Sequence, residues 1–150
     1  MDLFFDSSAL VKRYVNEIGS TWVTNIVQPA SGNRIYVAEI TGVEITAALS
    51  RRTRGDSAAE VNAVFANLRH DLNAEYLNLE ITSALLLDAR ALARLYFLRG
   101  YDAVQLAVAV RLNYRQISAG LLTLTLVSAD AELLDAAQTE GLLVQNPNLL

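Results

Sequence analysis

Leu3, Phe4 and Phe5 form an unbroken apolar run between Asp2 and Asp6. So short a run with no polar position predicts a strand buried on both faces. Ser7 and Ser8 are helix-opening residues, and Ala9, Leu10, Val11 and Tyr14 follow at helical spacing. The pattern predicts a helix over 7–14, with Lys12 and Arg13 on its solvated side. Trp22, Val23, Ile26 and Val27 predict a second helix, stopped by Pro29, and residues 30–33 read as a loop. Arg34 to Val37 reads as a strand. Ile40, Val43, Ala47 and Leu49 recur at three- and four-residue steps, which predicts a helix over 39–52.

Gly55-Asp56-Ser57 breaks and recaps the chain before a helix that carries Val61, Val64, Phe65 and Leu68 to about His70. Tyr76 to Leu79 predicts a strand. Leu85, Leu86, Ala89, Leu92 and Leu95 give the next helix, from near Thr82, its apolar face. Residues 99–102 read as a turn, and 103–112 as a helix apolar nearly all round. Leu122 to Val127 predicts a strand, 131–139 a helix, and 142–144 a last short strand. Strands alternating with helices long enough for crossovers predict an α/β fold, a three-layer α/β/α sandwich around a central parallel sheet. No repeat, low-complexity segment or Pro/Gly/Ser linker interrupts residues 1–150, so the expectation is one domain.

Composition narrows the function classes. The chain is 53% hydrophobic, yet no apolar run approaches the roughly 18 residues a spanning helix needs. Met1-Asp2 lacks the basic start of a signal peptide, and there is no cysteine, so a reducing cytoplasm fits. Twelve basic against sixteen acidic residues leave a formal charge of −4, which argues against a protein that coats nucleic acid by charge alone. Lys12 is the only lysine; the other cations are arginine, whose fork matches phosphate and carboxylate. Compositional drift toward arginine explains that bias equally well.

Four carboxylates stand outside the periodic pattern. Asp6 lies between the first strand and the first helix, where ligands bind in open α/β sheets. Glu44 has Ile40, Thr41, Ala47 and Ala48 as its helical neighbours, so no intrahelical cation faces it. Glu39 lies about 140° away round the same helix and reads as first-turn compensation of the helix dipole. Asp102 precedes the all-apolar helix, and Asp130 opens the helix of Leu133 and Leu134. Each of these two is also a natural N-cap. Asp135, deeper in its helix, reads as solvated. Gathered together, four acids would destabilise the fold unless a cation offset them. With no Cys or His among them the ligands are all oxygen, which suits Mg²⁺ or Mn²⁺ and the phosphate chemistry such ions serve.

These residues resemble a known family. Asp6-Ser7-Ser8-Ala9-Leu10-Val11, then Val43-Glu44-Ile45-Thr46-Ala47-Ala48-Leu49, then Tyr101-Asp102-Ala103-Val104-Gln105-Leu106-Ala107, then Ser128-Ala129-Asp130 are similar to the motifs of the PIN-domain family. VapC-type ribonuclease toxins are the nearest likeness, and it covers essentially the whole chain in the right order. The resemblance implies a metal-dependent endoribonuclease with Asp6, Glu44, Asp102 and Asp130 as its acidic cluster. Asp6 and Asp102 would hold Mg²⁺ or Mn²⁺, with Glu44 and Asp130 binding directly or through water, and Ser8 would support the site from behind. It also implies an RNA substrate, a cognate antitoxin and a homodimer. Gln105 departs from the pattern, since many relatives carry His there.

Arg13, Arg51, Arg94 and Arg99 are candidates to meet RNA or an acidic antitoxin segment, each with an ordinary solvated arginine as the alternative. His70, without a Ser or Cys nucleophile motif, reads as a helix-terminal cation. Trp22 and the tyrosines read as core and rim. Two other Mg²⁺-using folds fit poorly: a haloacid-dehalogenase-like phosphatase wants Asp where Ser8 stands, and a receiver domain wants a late lysine. A PIN-like module that binds partners without catalysis is the non-enzymatic alternative.

Overall fold

All five strands run parallel. In the computed structural model, which describes residues 1–150, they are β1 (Asp2–Phe5), β2 (Arg34–Ala38), β3 (Tyr76–Leu79), β4 (Thr125–Val127) and β5 (Leu143–Gln145). Their order across the sheet is β3-β2-β1-β4-β5. The chain therefore steps outward from β1 on one side, then crosses back to build β4 and β5 on the other. This reversal opens a crevice beyond the carboxyl ends of β1 and β4, the place where open α/β sheets bind ligands.

The opening apolar run follows the period-two geometry of a strand. Leu3 and Phe5 pack with Val37, Ile45 and Leu49 on one face, while Phe4 packs with Leu106, Leu126 and Leu133 on the other. The first face is covered by α1 (Ser7–Leu10), α2 (Ser20–Val27), α3 (Glu39–Arg52) and α4 (Ala58–His70); Ala9, Val23, Leu49 and Leu68 are their buried contributions. The second is covered by α5 (Ser83–Tyr96), α6 (Gly100–Ser118) and α7 (Ala131–Thr139), with Ala89, Leu106 and Leu133 buried. The expected three-layer α/β/α architecture is the observed one. No helix is long and apolar enough to cross a membrane.

Four local expectations need correction. The first helix is a single α-helical turn that tightens over Val11–Arg13. Lys12 is not solvated: it is buried, with Nζ donating to Glu17 Oε1 and the Ile18 carbonyl, both at 2.9 Å. An ammonium can be buried when a carboxylate and a carbonyl replace its water, and that partner lies beyond the helix, off its periodicity. α6 begins at Gly100, which places Asp102 inside its first turn instead of before it, and continues to Ser118. Asn113 and Gln116, polar residues that look like a helix end, are buried by tertiary bonds to the Leu124 amide (2.9 Å) and Asp2 Oδ2 (2.7 Å). Lastly, β4 starts at Thr125, and Leu121 and Leu122 are exposed in the approach to it.

Candidate active site

The Asp6 amide donates to the Val127 carbonyl at 3.1 Å, so β1 and β4 end side by side and each runs directly into a helix start. Asp6 has extended backbone and caps α1, its Oδ1 accepting from the Ala9 amide at 3.1 Å. Two serine hydroxyls donate to the same carboxylate: Ser8 Oγ at 2.9 Å to Oδ1 and Ser128 Oγ at 3.1 Å to Oδ2. The same oxygens accept backbone amides, Ser8 Oγ from Ala129 across the crevice (3.0 Å) and Ser128 Oγ from Asp130 within its own turn (3.0 Å). Ser8 and Ser128 thus stitch the two strand-to-helix junctions together around one carboxylate. The family resemblance implied a supporting role for Ser8; Ser128 was not singled out.

Asp6 is 2% exposed and has no basic partner. Burial pushes its carboxyl up to about 7; the hydrogen bonds from Ser8, Ala9 and Ser128 pull back, and the charge of Asp102 adds to the rise. A carboxylate buried in this way, bonded only to neutral donors, lacks a compensating charge.

Glu44 is half-buried on α3. Its donor comes from α6: Gln105, 1% exposed, donates through Nε2 to Glu44 Oε1 at 2.8 Å and to the buried Thr41 hydroxyl at 2.9 Å. Asp102 precedes Gln105 by three positions, so α6 presents both on one face. Burial raises the Asp102 carboxyl, the charges of Asp130 and Glu44 raise it further, Arg99 opposes them, and Glu132 adds a smaller push. Asp130 caps α7, its Oδ1 accepting from the Leu133 amide at 2.9 Å, so the cap and the site carboxylate are one residue. Glu39 instead reaches the Ile81 amide at 3.2 Å, and Asp135 is exposed as expected.

The four acids therefore share one electrostatic field at the sheet's switch point, and none makes an ion pair. No three acidic or histidine side chains converge closely enough to hold a metal ion directly. The donor set nonetheless fits a hard divalent cation. Mg²⁺ keeps several of its waters and takes only one or two carboxylates, so three converging side chains are not required.

Residues 3–139 match the family model of the PIN domain. The chain belongs to the PIN-domain family. All four carboxylates fall within the matched span. The solved structures share the PIN fold at low identity. PAE2754 from Pyrobaculum aerophilum has a TM-score of 0.63 at 21% identity, over 96% of this chain and 89% of that one. FitAcB from Neisseria gonorrhoeae has a TM-score of 0.63 at 16% identity, over 99% of each chain. VapBC2 from Rickettsia felis, bound to a DNA fragment from their promoter, has a TM-score of 0.65 at 12% identity, over 97% of this chain and 98% of that one. No curated protein sequence matches the chain.

Beside the carboxylates of this PIN domain lies an open cavity of about 520 Å³, walled by α1, α3 and the start of α6. Ser8, Glu44, Arg51 and Tyr101 line it. Of the four candidate arginines, Arg51 reaches this cavity and Arg99 lies within electrostatic range of Asp102. Arg13 turns away to Asp71 (3.6 Å), and Arg94 is exposed on α5. His70 pairs with Glu75 at 3.3 Å, and Trp22 packs against the α1–α4 core.

Proposed function

We propose that this PIN domain, residues 1–150 acting as one unit, is an endoribonuclease dependent on Mg²⁺ or Mn²⁺. We further propose that it is the toxin of a toxin–antitoxin pair. The observation that carries the reading is Asp6: a buried carboxylate with no cationic partner, raised to about 7, within the field of Asp102 at the sheet's ligand-binding crevice. Family membership and the fold shared with VapBC2 and FitAcB support the nuclease and toxin assignments.

Asp6 and Asp102 would hold the ion, with Glu44 and Asp130 contributing directly or through water. When bound, a divalent ion supplies charge neutralisation at the phosphodiester and a water of lowered pKa. The chain's own residues do the positioning. Ser8 and Ser128 lock both oxygens of Asp6, so the carboxylate cannot rotate away from the crevice. Gln105 fixes one oxygen of Glu44 and leaves the other without a protein donor. The cap bond does the same for Asp130. Preorganised charge of this kind costs no reorganisation during the reaction. A cytoplasmic setting, a cognate antitoxin and a homodimer complete the proposal.

The test is hydrolysis of end-labelled single-stranded RNA by metal-stripped protein, with Mg²⁺ or Mn²⁺ restored and with chelator, beside the Asp102→Asn variant. Cleavage that requires the ion and disappears in the variant is expected. A non-catalytic PIN-like module acting through protein partners is the second reading, and the net charge of −4, which gives no general attraction for RNA, favours it. Metal binding without cleavage of any RNA offered would put that reading first.

A further inference from the structure

The cavity beside the carboxylates has a composition that a metal site alone does not explain. Three cations line it, and two are already used: Lys12 and Arg52 both end on Glu17, at 2.9 and 3.0 Å. The third, Arg51, is exposed and takes part in no ion pair. Glu44, Ala47, Ala48 and Arg51 all line the cavity and follow one another at helical spacing along one face of α3. The two alanines leave an open floor between the acid and the arginine. Seven residues of helix separate Glu44 from Arg51 by about 10 Å along the axis. The long, flexible arginine side chain can reach back across that span to a phosphate next to the one at the carboxylates. From the start of α6, Tyr101, 62% exposed and adjacent to Asp102, also lines the cavity. A protein this acidic overall draws a polyanion only through local positive charge, so a single free guanidinium in the groove counts.

We propose that Arg51 and Tyr101 form a single-stranded RNA subsite next to the carboxylates, Arg51 holding a backbone phosphate and Tyr101 stacking on a base. The inference rests on the ribonuclease reading and specifies the strand's path through that site. The guanidinium fork matches a phosphate bidentately, and an exposed aromatic ring accepts any base face. Neither contact reads sequence, so the subsite positions the strand without selecting it.

The two contacts have separable signatures. Binding of a fluorescent, mixed-sequence single-stranded RNA is followed by anisotropy across a salt series, in the Asp102→Asn background so that the RNA stays intact. Arg51→Ala is expected to lower the slope of log affinity against log salt by about one, equally for different sequences, while Arg51→Lys keeps the slope. Tyr101→Ala is expected to weaken binding roughly tenfold with the slope unchanged, and Tyr101→Phe to restore it. In the active protein Arg51→Ala should raise KM with kcat retained. Arg54→Ala, an exposed cation outside the cavity, is the control and should change nothing. An unaltered slope in Arg51→Ala, or an equal drop in Arg54→Ala, overturns the proposal. If the parent binds and cleaves RNA while Arg51→Ala matches it throughout, only the subsite falls and the groove is left to a protein partner. If the parent does not bind RNA at all, the ribonuclease reading falls first and takes the subsite with it.

Discussion

Asp6 carries opposing duties, a helix cap that wants a charge and a burial site that resists one. Its carboxyl sits at about 7 in the folded chain against an ordinary 3.8. Between those values the folded state holds more protons than the unfolded state, so this residue's contribution makes stability fall as pH rises through that window. Urea midpoints in chelator from pH 4 to pH 8 should show that fall, and Asp6→Asn should flatten it, since asparagine still caps α1 and carries no charge. A parent and variant with parallel pH profiles would contradict the assignment. Gln105 makes the second prediction at this scale. Gln105→Leu strips Glu44 and the buried Thr41 hydroxyl of their donor, and should cost about 1–3 kcal/mol of stability, read from the same midpoints. The same variant should bind Mn²⁺ more weakly in a calorimetric titration. Asp6 was legible in the sequence from its place between a strand and a helix, and Glu44 because no cation stands at helical spacing from it. The partners that explain them were not: Gln105 meets Glu44 across 61 positions, and Ser128 meets Asp6 across 122.

At the scale of elements, periodicity located most helices to within a residue. Helix α3 runs over Glu39–Arg52, as its apolar spacing implies, and α7 over Ala131–Thr139, opened by the Asp130 cap. Where the local signal failed, a tertiary bond had recruited a polar residue, as with Asn113 and Gln116 in α6 or Lys12 beyond α1. The turn before α2 depends on one glycine for two reasons. Gly19 has φ +86°, and a Cβ there would collide with the Pro147 carbonyl. Gly32, at φ +68°, faces open space. Gly19→Ala should therefore destabilise by clearly more than Gly32→Ala, which carries only the strain of a left-handed backbone, of order 1–2 kcal/mol. Equal losses in thermal unfolding would show that Pro147 moves aside at little cost.

For the whole molecule, the fold gathers unpaired acids at one end of the sheet, where the proposed ion would offset their repulsion. Metal-stripped protein should gain about 2.7 kcal/mol of stability at a hundredfold excess of Mg²⁺ or Mn²⁺ over its dissociation constant. Asp102→Asn should respond little to metal, yet be as stable as the parent without it, because one repelling charge is gone. A metal response that survives in the variant would place the ion elsewhere on the surface.

The order of apolar and polar residues determined the strand–helix alternation, the parallel sheet covered on both faces and the singling out of Asp6, Glu44, Asp102 and Asp130. Burial repeats along an element's own axis, so periodicity records which face of each helix and strand is inward. What lies against that face is another matter. Only the tertiary structure decided the order β3-β2-β1-β4-β5, which sets Asp6 beside Ser128, and the pairing of Gln105 with Glu44. It alone also tied Lys12 and Arg52 to Glu17, leaving Arg51 free in the groove. All but the Lys12–Glu17 pair join side chains far apart in the chain, and their partners are chosen by the packing of layers, which no periodicity within one element encodes.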